Sequence, residues 1–130
     1  MYYRASRLWE GDGVRDFLRR HDAVHLAGWS LGGGCAVLLA CFLHASGRPP
    51  ASVSLFGAPR SLDASNALWY ARAGLSGRTV RYETPRDPIV RLPRGDYAHV
   101  GRRVVLHSDD PGGVLGQHDL LIYHRALRTW

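Results

Sequence analysis

A serine, an aspartate and a histidine of this chain have the types and the order that nucleophilic acyl transfer requires. Ser30 stands in Gly28-Trp29-Ser30-Leu31-Gly32, Asp87 opens Asp87-Pro88-Ile89-Val90, and His118 lies near the C-terminus. A serine hydroxyl is a weak nucleophile until a neighbouring imidazole takes its proton. The imidazole in turn works best when a carboxylate orients it and stabilises its charged form. The flanks of Ser30 suit a nucleophile, since apolar alternation precedes it and a long apolar run from Cys35 to Leu43 follows. Strand, Gly-x-Ser-x-Gly and helix in that order make a nucleophile elbow, with the serine at the apex of a sharp turn. Gly28 and Gly32 are expected to remove Cβ atoms where strand and helix pass closely. At a helix N-terminus the backbone N–H of Leu31 becomes a natural donor to a developing oxyanion.

Those residues must be positioned by regular elements, and the chain supplies them. Ser6–Arg20 has helical spacing of Leu8, Trp9, Val14, Phe17 and Leu18, interrupted near Gly11–Gly13. Ala23–Gly28 reads as the elbow strand and Leu31–Ala45 as a buried helix ending before Gly47. Further strands are expected at Ala51–Phe56, Thr79–Glu83 and Arg102–His107, with helices at Ser61–Ala73 and from about Gln117 to Leu127. Residues Thr84–Val100 read as a loop punctuated by prolines. Strands alternating with helices imply one α/β domain over residues 1–130, a mainly parallel sheet covered by helices. The loops at the strand carboxyl ends of such a sheet gather at one edge, where ligands bind.

Composition narrows the function further. The 130 residues are 45% apolar and carry a formal charge of +6, all 17 basic residues being arginine. The arginines are scattered and no nucleic-acid motif accompanies them, so a nucleic-acid partner is not expected, whereas weak attraction to an anionic lipid surface is compatible with the charge. Cys35 and Cys41 lie about 9 Å apart along one helix, beyond disulfide reach, and read as small apolar residues. No zinc-type spacing occurs, so neither metal nor cofactor is expected. The N-terminus lacks the apolar core of a signal peptide and no run is long enough to span a membrane, so a cytoplasmic location is the default expectation.

Four ordered blocks, Gly28-Trp29-Ser30-Leu31-Gly32-Gly33, Phe56-Gly57-Ala58-Pro59-Arg60, Asp87-Pro88-Ile89-Val90-Arg91-Leu92-Pro93 and Tyr97-Ala98-His99-Val100-Gly101, resemble the class 3 (fungal-type) lipases of the α/β-hydrolase superfamily. A fifth, His118-Asp119-Leu120-Leu121-Ile122-Tyr123, resembles the region of that family's catalytic histidine. The resemblance implies a three-layer α/β-hydrolase fold with a minimal sheet, nucleophile Ser30, acid Asp87, base His118, and a fatty-acyl ester or phospholipid substrate. His99, in a block the family uses near its site, is the main rival to His118. Asp96, Asp109 and Asp110 are weaker rivals to Asp87. His25 reads as a packed core histidine, His21, His44, His107 and His124 as peripheral, and Arg60 as either a surface residue or the partner of a carboxylate beneath the site.

The chain departs from the family twice. Trp29 stands where the family usually has histidine, and Gly-Trp-Ser-Leu-Gly-Gly is also similar to acyl thioesterases. The family's second oxyanion donor comes from a strand well upstream of the nucleophile. Tyr3-Arg4-Ala5-Ser6 resembles that block faintly, which makes Ser6 a candidate donor. Residues 2–17 resemble more closely the helix before the elbow strand, which places the donor strand outside this chain. An open sheet edge then invites a homodimer or a partner chain, and a non-catalytic hydrolase-like binding domain is the alternative to an ester hydrolase.

Overall fold

The computed structural model describes residues 1–113 and 115–129, without the side chains of Asp12, Arg15 and Arg19. In chain order the elements are α1 (Tyr2–Glu10), α2 (Asp12–Arg20), β1 (His25–Trp29), α3 (Leu31–Ala45), β2 (Ser52–Phe56), β3 (Leu62–Asp63), α4 (Ala64–Arg72), β4 (Thr79–Glu83), β5 (Tyr97–Ala98), β6 (Arg102–Val105) and α5 (Leu120–Arg128). Strands β1, β2, β4 and β6 form a parallel sheet in that spatial order, while β3 and β5 make a small antiparallel pair. Because the four strands run the same way, Trp29, Phe56, Glu83 and Val105 all end at one edge. That edge collects the loops bearing the chemistry.

Register assigns the two faces. Leu26 pairs with Val53 and Gly28 with Leu55, and the strand pleat sends these to one side. There Val53 and Leu55 pack with Ala36, Val37 and Ala40 of α3, Tyr70 of α4 and Leu75. The opposite face presents Phe56, Val80, Tyr82 and Val104 to Tyr123 and Ala126 of α5. Phe56 and Tyr82 stack with ring centroids 5.0 Å apart. Helices therefore cover both faces, giving the three-layer α/β arrangement. Tyr70 is fully buried and needs a partner for its hydroxyl. It meets Thr79 Oγ1 at 2.9 Å, and burial pushes the phenol up to about 12.

Several local expectations need correction. Ser61 does not start a helix. Residues 62–63 form β3, and Asp63 caps α4 instead, its Oδ1 accepting from Asn66 N at 2.8 Å. The span from Thr84 to Val100 contains a 3₁₀ turn at Ile89–Arg91 as well as β5. The last strand ends at Val105, and the first helix starts at Tyr2 rather than Ser6, while the expected interruption falls at Gly11. His118 precedes the final helix, because Asp119 caps it through a bond from Leu121 N. His25 is exposed on β1 and contacts Ser52 Oγ at 2.8 Å, so it is no core residue. Cys35 is buried and Cys41 half-buried, both as free thiols, with the Cys41 thiol pushed up to about 11 by burial.

Candidate active site

The elbow begins with a close approach. A Cβ on Gly28 would lie 2.3 Å from the carbonyl oxygen of Gly32, so only glycine lets the strand end tuck under the helix start. Gly32 does not share that steric part: a Cβ there meets nothing within 4 Å among the described residues. The second tight contact belongs to Gly33, whose Cβ would stand 2.6 Å from that of Ala58. Between them Ser30 adopts φ 54° and ψ −127°, a conformation that L residues rarely hold. It is held by Ser30 N donating to Phe56 O at 2.9 Å and by Gly33 N and Gly34 N donating to Ser30 O.

This geometry decides where the hydroxyl goes. A serine before a helix usually caps it by accepting from a first-turn N–H. Ser30 makes no such bond, and its Oγ lies 2.8 Å from His118 Nε2. The N–H groups of Leu31 and Gly32 sit in the first turn of α3, where no intrahelical acceptor exists.

His118 is buried between partners on three sides. Its Nδ1 donates to Asp87 Oδ2 at 2.8 Å, which leaves Nε2 as the acceptor for the serine hydroxyl. The indole of Trp29 stacks on the imidazole, centroids 5.0 Å apart and planes 15° apart. Asp87 is fully buried. A carboxylate taken out of water needs donors, and it has three: His118, Ile89 N to Oδ1 at 2.8 Å, and Tyr123 OH to Oδ2 at 2.7 Å. Gly57 makes room for this group. It holds φ 55°, and a Cβ there would lie 2.8 Å from Asp87 Oδ2.

Tyr123 is the participant that residue types alone did not single out. Its hydroxyl also accepts from Thr84 N at 3.2 Å, bridging the end of β4 to the carboxylate. Burial pushes its phenol up, and the bond to Asp87 adds to this, so it remains a donor. The available signal was its place on the apolar face of the last helix, beside Ile122 and Ala126, where a hydroxyl must find a partner. Tyr123→Phe is expected to leave the fold intact and to lower turnover about 10-fold with KM little changed, since Asp87 keeps its other two donors. Steady-state kinetics on a soluble ester reads this, and an unchanged kcat would show that the tyrosine serves only packing.

The other candidates are placed elsewhere. His99 Nε2 donates to Val90 O at 2.6 Å, with Glu83 Oε1 3.8 Å away, so it ties the loop carrying Asp87 to the sheet and does not reach Ser30. Desolvation, with the Arg81 charge, holds its imidazole below the ordinary range. Glu83 is buried and takes Arg81 on one oxygen and Arg103 on the other, the latter at 2.7 Å. Asp110 pairs with exposed Arg125 at 3.2 Å, and Asp96 is exposed. Arg60 makes no ion pair among the described residues. Ser6 lies within α1, its hydroxyl donating to Tyr3 O at 2.9 Å, so the helical reading of the N-terminal segment is the one observed. Among the described residues no cluster of His, Cys, Asp or Glu could hold a metal ion, and no helix is long and apolar enough to cross a membrane.

Chemically, the arrangement offers a hydroxyl aligned with a base, a base oriented by a carboxylate, and a helix N-terminus beside the serine. Comparisons with known proteins bear on what such a site serves. The chain is similar in structure to a lipase of Rhizopus microsporus var. chinensis, with 23% identity and a TM-score of 0.71 over 82% of this chain and 40% of that one. It is similar to the Rhizomucor miehei lipase in its propeptide complex, with 26% identity and a TM-score of 0.58 over 68% of this chain and 30% of the other. A third similar structure, at 24% identity and a TM-score of 0.63 over 75% of this chain and 39% of the other, is described as a triacylglycerol lipase whose catalytic centre is a serine-protease triad. The chain thus spans two fifths or less of each of these lipases. No curated protein matches it. The model of the family described as Lipase (class 3) matches residues 7–97, well over half of the chain and all of the elbow and the Asp87 loop, and the chain belongs to that family.

Proposed function

We propose that this chain hydrolyses carboxylic esters of lipids through an acyl-enzyme on Ser30. The observation that carries this reading is the continuous set of bonds Ser30 Oγ to His118 Nε2 and His118 Nδ1 to Asp87 Oδ2, each 2.8 Å long. As Ser30 Oγ attacks the acyl carbon, His118 Nε2 takes the hydroxyl proton. It then returns that proton to the leaving alcohol as the ester C–O bond breaks. Water enters by the same route, giving a proton to His118 and its oxygen to the acyl carbon, which releases the acid and restores Ser30. Asp87 stays ionised and stabilises the imidazolium formed in each half-reaction.

The Leu31 N–H serves as one oxyanion donor, aided by the positive end of the α3 dipole. Trp29 limits rotation of the His118 ring, and its π-face favours the positive charge that appears there. The acyl group is a fatty-acyl chain, as the family implies, and residues 1–130 act as one α/β unit.

A fluorophosphonate probe tests this reading. The folded protein is expected to take up one equivalent, located on Ser30 by mass spectrometry. Absence of label on folded protein, under conditions that label a reference serine hydrolase, would remove the reading.

A further inference from the structure

His118 stands on neither helix nor strand. It lies in the long connection between β6, which ends at Val105, and α5, which starts at Leu120. Its ring must nevertheless stay within hydrogen-bond reach of both Ser30 and Asp87, and a loop holds such distances less precisely than a regular element does. The residue just before it supplies a brace. Gln117 is 1% exposed, and its Nε2 donates to Ser108 O and to Asp110 O, each at 2.9 Å. Two carbonyl acceptors on one nitrogen fix which end of the amide is NH₂. These bonds reach nine and seven residues back, so they tie the backbone beside the base to the start of the same connection. Asp110 is anchored in turn, its Oδ1 accepting from Gly112 N and its Oδ2 pairing with Arg125 of α5.

A further bond ties Gln117 to the acid. Thr84, fully buried just after β4, donates from Oγ1 to Gln117 O at 3.3 Å, and its own carbonyl accepts from Asp87 N at 3.2 Å. One residue thus holds the backbone at Asp87 and the backbone beside His118 together. The amide of Gln117 is a poor choice for stability alone. Its Oε1 accepts from no group among the described residues. A buried amide with an unmatched acceptor costs free energy that an apolar side chain of the same length avoids. What the amide provides is direction, because two bonds from one nitrogen fix the side chain and hence the backbone to which His118 is joined. We infer that Gln117 is the positioning residue of the catalytic base, its amide and the Thr84 hydroxyl together setting the distance of His118 from Asp87 and Ser30.

The inference rests on the hydrolase reading, and one of its two readouts is independent of turnover. Gln117→Met keeps the length of the side chain and removes both donors. On a soluble ester it is expected to lower kcat about 10²-fold with KM within about twofold, since a base displaced by about 1 Å impairs the chemical step and not binding. The second readout is the far-downfield proton resonance of His118 Nδ1–H on Asp87, assigned by its absence in His118→Ala. It is expected in the wild type, and lost or moved upfield in Q117M. The control is Tyr70→Phe, which removes a buried hydroxyl bond on the sheet face opposite α5. It should lower Tm comparably, by about 5 °C, with kcat and the resonance unchanged. If Q117M does not fold, T84V keeps the side-chain shape, removes the bond to Gln117 O and carries the same readouts, with kcat lowered about 10-fold. A folded Q117M with kcat within about threefold of wild type, an equal loss in Y70F, or a kcat loss with the resonance unmoved would each overturn the inference. Loss of the fold in both Q117M and T84V would make the role structural and overturn it as well. A wild type with the resonance but no turnover removes the hydrolase reading, and the resonance in Q117M then decides this inference. With turnover but no resonance, the split between kcat and KM decides it. A wild type with neither would remove both.

Discussion

With His118 replaced by alanine, ester turnover is expected to fall about 10⁶-fold while the fold persists. The histidine Nε2 lies 2.8 Å from Ser30 Oγ, so in the proposed mechanism its loss stops both half-reactions. Residues that act as a unit lose nearly everything when either the nucleophile or the base is removed. Ser30→Ala should therefore cost as much, and the double variant little more. Asp87→Asn is expected to be milder, about 10⁴-fold, because serine and base remain but the imidazole tautomer is no longer held. Single-turnover hydrolysis of a chromogenic ester measures all four proteins. A loss under about 10-fold for His118→Ala would move the base elsewhere and withdraw the mechanism.

The second large effect is on folding. Gly28→Ala places a Cβ 2.3 Å from Gly32 O and 2.4 Å from Gly32 C, both backbone atoms that cannot swing aside. The strand end and the α3 N-terminus must separate, which also lifts Ser30 away from His118. A cost at the severe end for a single substitution, about 4 kcal/mol or more, is expected. That corresponds to a Tm lowered by at least about 10 °C, or to a chain that does not fold. Gly32→Ala is the internal control. It introduces no contact within 4 Å and exchanges glycine for the best helix former inside α3, so it should be neutral or stabilising by up to ~1 kcal/mol. Thermal unfolding followed by circular dichroism compares the two. Equal Tm values for the two variants would contradict the close-packed elbow.

Much of this architecture is local information and could be read from residue order. Alternating apolar residues before Ser30, glycines at the turn and an unbroken apolar helix after it specify the elbow without reference to any distant residue. The same holds for the parallel sheet, since strands separated by helices leave few other arrangements. Ser30, Asp87 and His118 could be nominated because their types and order suit one chemistry.

What residue order left open depends on distances between elements remote in sequence. Whether His118 or His99 faces Ser30 is decided by where the loops after β4 and β6 cross the sheet edge. His99 ends on Val90 O and His118 on Ser30 Oγ. The partnership of Tyr123 with Asp87 spans 36 residues and follows from packing α5 on the face opposite α3. The pairing of Arg81 beside Arg103 is set by the parallel register of β4 and β6, and it explains why Glu83 is buried between two guanidiniums. His25 has the spacing of a core residue, yet its side of β1 is uncovered and it is exposed. Gly28 and Gly32 are equivalent in the motif, but only the Cβ of Gly28 would point into the opposing backbone. Sequence pattern by itself determined which elements form and which residues carry the right chemistry; only tertiary packing decided which of those residues meet, because contact and exclusion act through space and not along the chain.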